Sequence, residues 1–281
     1  GLIKKKKALP TLSQDEIPFQ IPTTWRWQQL DNITSILGDG IHGTPLYESS
    51  GDYHFINGNN LNLGKIEIKS ETKKVSYEEY AKHNRNLNET TILVSIYGSI
   101  GKVALYNNEK IILGKSACYF NLLGSINRFY IMELIKTEYF LKYAFQKATG
   151  STIKNVSLKT MREFPVPIPP IAEQERIVAK VNELMRLCDK LEHEQASKME
   201  THNILVNSLL NALSSSTTNT SSSFQAWQPV KTNFETLFTT ENSIDQLKLT
   251  ILQLAVTGKL VPQDLDDEPA SILLKKIPVS Y

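Results

Sequence analysis

The chain has 281 residues, 41% hydrophobic and 21% charged, with a formal charge of +2 at pH 7. This supports a conventional core in one large or two modest domains, and no stretch approaches the ~20 apolar residues that span a membrane. The opening Gly1-Leu2-Ile3 and Lys4–Lys7 have no apolar segment after them, so no secretory leader is read and the cytoplasm is the expected location.

Residues 1–19 read as a basic linker, with four lysines, Pro10 and Pro18. A first domain, 20–165, opens at Trp25 and Trp27. It continues as short β-like runs between Gly and Asn turns: Tyr53–Ile56, Thr91–Tyr97, Lys102–Tyr106 and Lys110–Leu113. Such spacing predicts a twisted sheet or partial barrel. From 128 to 148 the apolar residues Phe129, Met132, Ile135, Phe140 and Ala144 change to helical spacing, predicting one helix or two short ones against that sheet.

Pro165, Pro167, Pro169 and Pro170 then interrupt the chain, and a run this rich in residues without an N–H is expected to end regular structure and make a rigid join. Beyond it, residues 166–213 read as a long helix whose rod begins at Ile171 and extends about 65 Å at ~1.5 Å per residue. Its apolar residues hold a heptad: Val178, Met185, Met199 and Val206 in one row, Val181, Cys188 and Leu209 in a neighbouring one. That pattern predicts a coiled-coil seam, interrupted in the middle by Glu192, Gln195, Lys198 and His202.

Residues 214–242 form a Ser/Thr-rich loop and connector, and 243–281 hold a second helix and a C-terminal segment. Ser243 to Gln246 fits a capping box, Ile244, Leu247, Ile251 and Leu254 share a face, and Gly258 suits the C′ position. A short amphipathic helix cannot bury its own stripe, so it is expected to fold back antiparallel on the rod. The fold class is α+β: a mixed, β-rich domain followed by a long helix in an antiparallel coiled coil or helical hairpin.

Charge is distributed unevenly. Residues 20–163 carry 17 Lys/Arg against 13 Asp/Glu and residues 164–281 carry 10 against 14, as fits a globular domain that meets a polyanion and a rod that does not. Cys118 and Cys188 sit in apolar runs without a CxxC or Cys/His cluster and read as reduced core residues. Catalytic signatures are not found. Gly98-Ser99-Ile100-Gly101-Lys102 has too short a glycine spacing for a phosphate loop, with Val103 where Ser or Thr is needed; no GxGxxG is read after a strand, and HExxH and GxSxG are absent. The five histidines are scattered, so no metal site is read.

The first domain instead carries polar loops suited to nucleic acid. Gly38–Pro45 presents His42 and Thr44; Asn57-Gly58-Asn59-Asn60 places Asn57, Asn59 and Asn60 in one turn, and Asn suits bidentate contact with adenine. Tyr97, Ser99 and Lys102, with Lys154 and Asn155, add hydroxyls and cations for phosphates.

Together with Ile21-Pro22-Thr23-Thr24-Trp25, the strings Pro169-Pro170-Ile171-Ala172-Glu173-Gln174-Glu175-Arg176-Ile177-Val178 and Gln253-Leu254-Ala255-Val256-Thr257-Gly258-Lys259-Leu260-Val261-Pro262-Gln263 resemble the specificity (S) subunit of type I restriction–modification systems. The resemblance implies recognition domains for double-stranded DNA separated by paired helices, with no active site in the subunit itself. It also implies partners: modification (M) subunits that methylate adenine with S-adenosylmethionine, and restriction (R) subunits that use ATP and magnesium. This chain departs from the pattern in holding one recognition domain and one helical region. That is one repeat unit, a half-length subunit or part of a longer one, and two copies are expected to pair through the rods, using the two heptad rows and Ile251 and Leu254. Two other readings stay open: an enzyme with an unfamiliar site, and a coiled-coil adaptor that binds protein without DNA specificity.

Overall fold

The structure is a computed structural model that describes residues 9–10, 12–13, 16–215, 227–261 and 266–276. The Lys4–Lys7 run and the Ser/Thr-rich stretch 216–223 lie outside these. The chain divides into two compact units between Leu184 and Met185.

At the centre of the first unit is an antiparallel sheet of β2 (Thr34–Asp39), β10 (Ala117–Leu122), β7 (Thr91–Ser95) and β8 (Val103–Leu105), in that order. Successive side chains of a strand point to opposite faces. Ile92, Val94, Cys118 and Phe120 accordingly enter one core with Ile131, Ile135, Phe140 and Phe164. Leu93, Ala117 and Tyr119 enter a second core with Ile56, Leu61 and Leu113. A strand covered on both faces shows no polar alternation, which is why Ala117–Leu122, buried at all six positions, is not among the expected strands. The expected loop at Gly38 also begins later, because Gly38 and Asp39 pair with Tyr119 and Cys118 in the ladder.

Beside it, β3 (Tyr53–Ile56) pairs antiparallel with β6 (Lys74–Val75) and parallel with β9 (Ile111–Leu113), and a short hairpin joins β4 (Leu61–Asn62) to β5 (Lys65–Ile66). Helix α1 (Tyr77–His83) follows β6, its first turn capped by Ser76. The helical stretch is two helices, α2 (Arg128–Lys136) and α3 (Glu138–Lys147). They separate at Thr137, whose hydroxyl caps α3, while Asn127 caps α2. A short α4 (Leu158–Arg162) precedes the prolines.

The proline run does not end regular structure. Pro165–Ile168 is β11, paired antiparallel with β1 (Arg26–Gln29) in a two-stranded sheet, so Pro165 and Pro167 stand opposite Gln29 and Trp27. Proline is tolerated on an edge strand when its missing donor faces away from the ladder. Both residues lie on the same side, and their carbonyls accept the hydroxyls of Tyr139 and Tyr130, each at 2.7 Å. Beyond the strand, the Pro170 carbonyl accepts the N–H groups of Glu173 and Gln174 in the first turn of α5 (Ile171–Ser215). Gln174 secures that start. It is 1% exposed; its Oε1 accepts the N–H of Asn127 at 2.9 Å and its Nε2 donates to the carbonyl of Pro169 at 2.9 Å. Ile177 and Val178 pack against the first core, so the compact unit runs past the boundary expected at 165, and Val178 faces its own domain rather than a partner helix.

In the second unit, Val206, Leu210 and Leu213 of α5 form a core with Val230, Leu237 and Leu247, against which Leu209, Trp227 and Ile251 pack. Residues 227–232 are helical, followed by α6 (Phe234–Leu237) and α7 (Glu241–Val256). His202 Nε2 lies 2.9 Å from the Leu237 carbonyl, and Lys259 donates to the Ser214 carbonyl at 2.8 Å. The return along α5 is therefore made by 227–237, and α7 runs in the same direction as α5, not antiparallel to it. The capping box is Thr240 with Ser243, which makes Ser243 its third helical residue rather than the cap, because the helix starts at Glu241. Gly258, at φ 67°, terminates α7 as expected, with the Lys259 N–H bonded to the Leu254 carbonyl. Helix α8 (Ala270–Lys276) fits the expected C-terminal turns.

Along the middle of α5, Met185, Cys188 and Met199 are exposed, and Val181 is half-buried. Cys188 is thus not a core residue; Cys118 is.

Two outcomes test this frame. Replacing Gln174 by Leu keeps its bulk but leaves two backbone groups unpaired, so denaturant unfolding should show a loss of about 2–4 kcal/mol. Burial raises the phenol pKa of Tyr130, Tyr139 and Tyr143 above its ordinary value. Their stabilisation is therefore complete below pH ~10 and falls as pH rises beyond it. A melting series against pH should show that fall, and it should be smaller in Tyr130→Phe.

Candidate nucleic-acid interface

The polar loops that are separate in sequence meet at one end of the central sheet through main-chain hydrogen bonds. Ile41 N–H donates to Leu113 at 2.7 Å, and Gly58 N–H to Ser116 Oγ at 2.9 Å. Ile96 N–H bonds the Ser116 carbonyl at 3.0 Å, Val156 N–H bonds Ile96 at 2.8 Å, and Gly98 N–H bonds Lys154 at 3.1 Å. Thr149 and Asn155 exchange a reciprocal pair, each 2.9 Å. Loops 39–45, 57–60, 96–102, 113–117 and 149–157 are in this way tied into one continuous surface.

Close approach sets the first of these loops. A Cβ at Gly40 would lie 1.9 Å from the Leu113 carbonyl oxygen, so only glycine lets the chain turn against β9 there. Gly98 and Gly101 take φ of 71° and 85°, which makes the turn carrying Ser99 and Lys102 compact.

Of the residues expected to make contacts, His42, Tyr97 and Asn155 line a single cleft of about 400 Å³. His42 is exposed and its Nε2 lies 2.8 Å from Asp39 Oδ2. Thr44, Ser99, Lys102 and Lys154 are exposed on the adjoining loops but do not line the cleft. The three asparagines of the 57–60 turn separate by role. Asn57 Oδ1 accepts from Ser116 Oγ at 2.9 Å, and the Asn60 side chain accepts from Asn57 N–H and donates to the Glu67 carbonyl and Thr72 Oγ1. Those two hold the turn, because the same amide that suits a base edge also suits a backbone turn. Asn59 is exposed between them.

Three polar residues of the cleft were not among the expected contacts: Asp39, Lys115 and Ser157. Lys115 Nζ sits 5.6 Å from the Tyr97 ring centroid, within cation–π range. Its signal was the Gly114-Lys115-Ser116 turn, in which glycine had been taken only as a strand end. Lys102, Lys115 and Lys154 make the surface cationic, whereas behind it Cys118 is sealed in the core, its thiol pKa pushed far up by burial. The arrangement offers cations and backbone donors for phosphates, with amide, hydroxyl and imidazole groups for base edges.

The family model described as the type I restriction modification DNA specificity domain matches residues 22–201, which include all five loops. The chain is 37% identical to the EcoAI specificity subunit of a type I restriction enzyme and 35% identical to the EcoEI one, both from Escherichia coli. Each match takes in 99% of this chain and 47% of the relative, so the chain spans about half the length of the curated relatives it matches. In fold it is similar to the HsdS subunit of Thermoanaerobacter tengcongensis, with a TM-score of 0.52 at 17% identity over 70% of this chain and 51% of that one. The chain belongs to the type I restriction–modification DNA specificity family.

Proposed function

We propose that this chain reads DNA sequence for a type I restriction–modification complex. Its recognition domain engages one half of a bipartite double-stranded target, and the chain directs adenine methylation and cleavage carried out by modification and restriction subunits. The observation that carries this reading is the joining of five polar loops, with Lys102, Lys115 and Lys154 among them, into one surface within the family-matched segment. The chain's own residues bind and select. S-adenosylmethionine, ATP and magnesium belong to the partner subunits, and no chemical step is assigned to this chain.

The exposed apolar residues of α5 support a second part of the proposal. Leu184, Leu187 and Leu191 follow heptad spacing, and Leu191 is 65% exposed. In this reading they meet the matching helix of a second copy, which supplies the other half-site domain. No helix among the described residues is long and apolar enough to cross a membrane, so these side chains are not accounted for by a span.

DNA binding should weaken steeply with salt. The triple change of Lys102, Lys115 and Lys154 to Ala should lower affinity for all sequences and reduce the log–log salt slope by about 1 per lysine. A salt-independent affinity, or an unchanged slope, would favour the protein-binding adaptor instead. Sedimentation should give a dimer that the pair Met185→Glu and Leu191→Glu converts to monomer, with DNA contacts of the single domain retained.

A further inference from the structure

Asp39 and His42 form a unit whose two ends are held differently. Asp39 is the last residue of β2 and is paired with Cys118 in the ladder. His42 stands three residues later, beyond the turn that Gly40 permits and that the Ile41 N–H fixes to Leu113. The carboxylate is thus fixed by the sheet, and the imidazole is held to it at 2.8 Å through Nε2 while its side chain remains 72% exposed.

Chemistry assigns the proton. An ionised carboxylate only accepts hydrogen bonds, so Nε2 must carry the hydrogen, and in the neutral ring Nδ1 is then a bare acceptor. Among the described residues no protein group bonds Nδ1. The ring lines the same cleft as Tyr97, Lys115 and Asn155. In the major groove, adenine N6 and cytosine N4 present donors, whereas guanine N7 and O6 and thymine O4 present acceptors.

We propose that Asp39 is a positioning residue that fixes His42 as a hydrogen-bond acceptor, so that the target position meeting this cleft prefers a base with an exocyclic amine, adenine or cytosine, over guanine or thymine. The inference rests on the DNA-reading function proposed above and names one contact within it. His42 touches the base; Asp39 acts through His42.

Two measurements on the full chain test it. The ¹⁵N spectrum of the imidazole should show the Nε2–H tautomer for His42, and Asp39→Ala should convert it to a mixture. Selection from a randomised duplex library should give one position restricted to adenine or cytosine. Asp39→Ala and His42→Ala should both relax discrimination at that same position, by roughly tenfold, and leave the other positions unchanged. An Nδ1–H or doubly protonated ring in the unaltered protein would overturn the proposal. So would preferences that survive both substitutions, or substitutions that act at different positions. If the ring has the expected tautomer but the unaltered chain enriches no sequence, the DNA-reading function itself fails.

Discussion

The side-chain amide of Gln174 is the constraint on which the first unit's geometry turns. Buried to 1% exposure, it accepts from the N–H that opens α2 and donates to the carbonyl just before α5. An amide offers a donor and an acceptor on two adjacent atoms of one neutral side chain. Here it closes two backbone groups that neither helix can satisfy from within, since the first N–H groups of a helix and the residues ahead of it have no internal partner. The start of α5 is consequently part of the domain, with Ile177 and Val178 packed against its core.

The same accounting explains the prolines. A strand containing Pro165 and Pro167 cannot pair on both sides, and the side it leaves open would bury two carbonyls without donors. Tyr130 and Tyr139, from the two helices packed over it, supply those donors, and Tyr139 also packs its ring on Phe164 at 5.4 Å. Stiffness at the join is therefore not a property of proline alone. It comes from a one-sided strand whose outer face is completed by tyrosine hydroxyls and whose end is completed by Gln174.

Much of this was legible in the sequence, and what was not has a physical reason. Tyr53–Ile56 and the helical stretch after 128 were readable because a turn residue flanks each and because apolar spacing reports a single covered face. Ala117–Leu122 was not, since a strand between two cores loses that alternation. The heptad of α5 was legible as a period but not as a set of partners. One repeat serves a domain core at Val178, an open face at Leu191 and a local helical core at Val206. Periodicity states that a stripe will be covered and is silent on what covers it. For the interface, the loops were readable individually from glycine and asparagine, but their adjacency depends on pairings such as Ile96 with Ser116, more than a dozen residues apart. Lys115 became a candidate only once that pairing placed it beside Tyr97.

The interface also separates residues that build it from residues that face outward. Ser116 Oγ, Asn57 Oδ1 and the Asn60 amide are committed to one another, to Thr72 or to neighbouring backbone, and Gly40 has a carbonyl where its side chain would be. A change at any of these disturbs the turn that carries the others. Asn59, Thr44 and Ser99 stand on the same turns, exposed. Direct readout depends on side chains reaching base edges from a fixed backbone, so under the proposed function a change at one of the exposed positions would alter the contact without altering the frame that presents it. His42 belongs to both groups, since it faces outward while its ring is held from the sheet by Asp39, and the proposed contact follows from that: its hydrogen-bonding character would be set by the fold rather than by solvent.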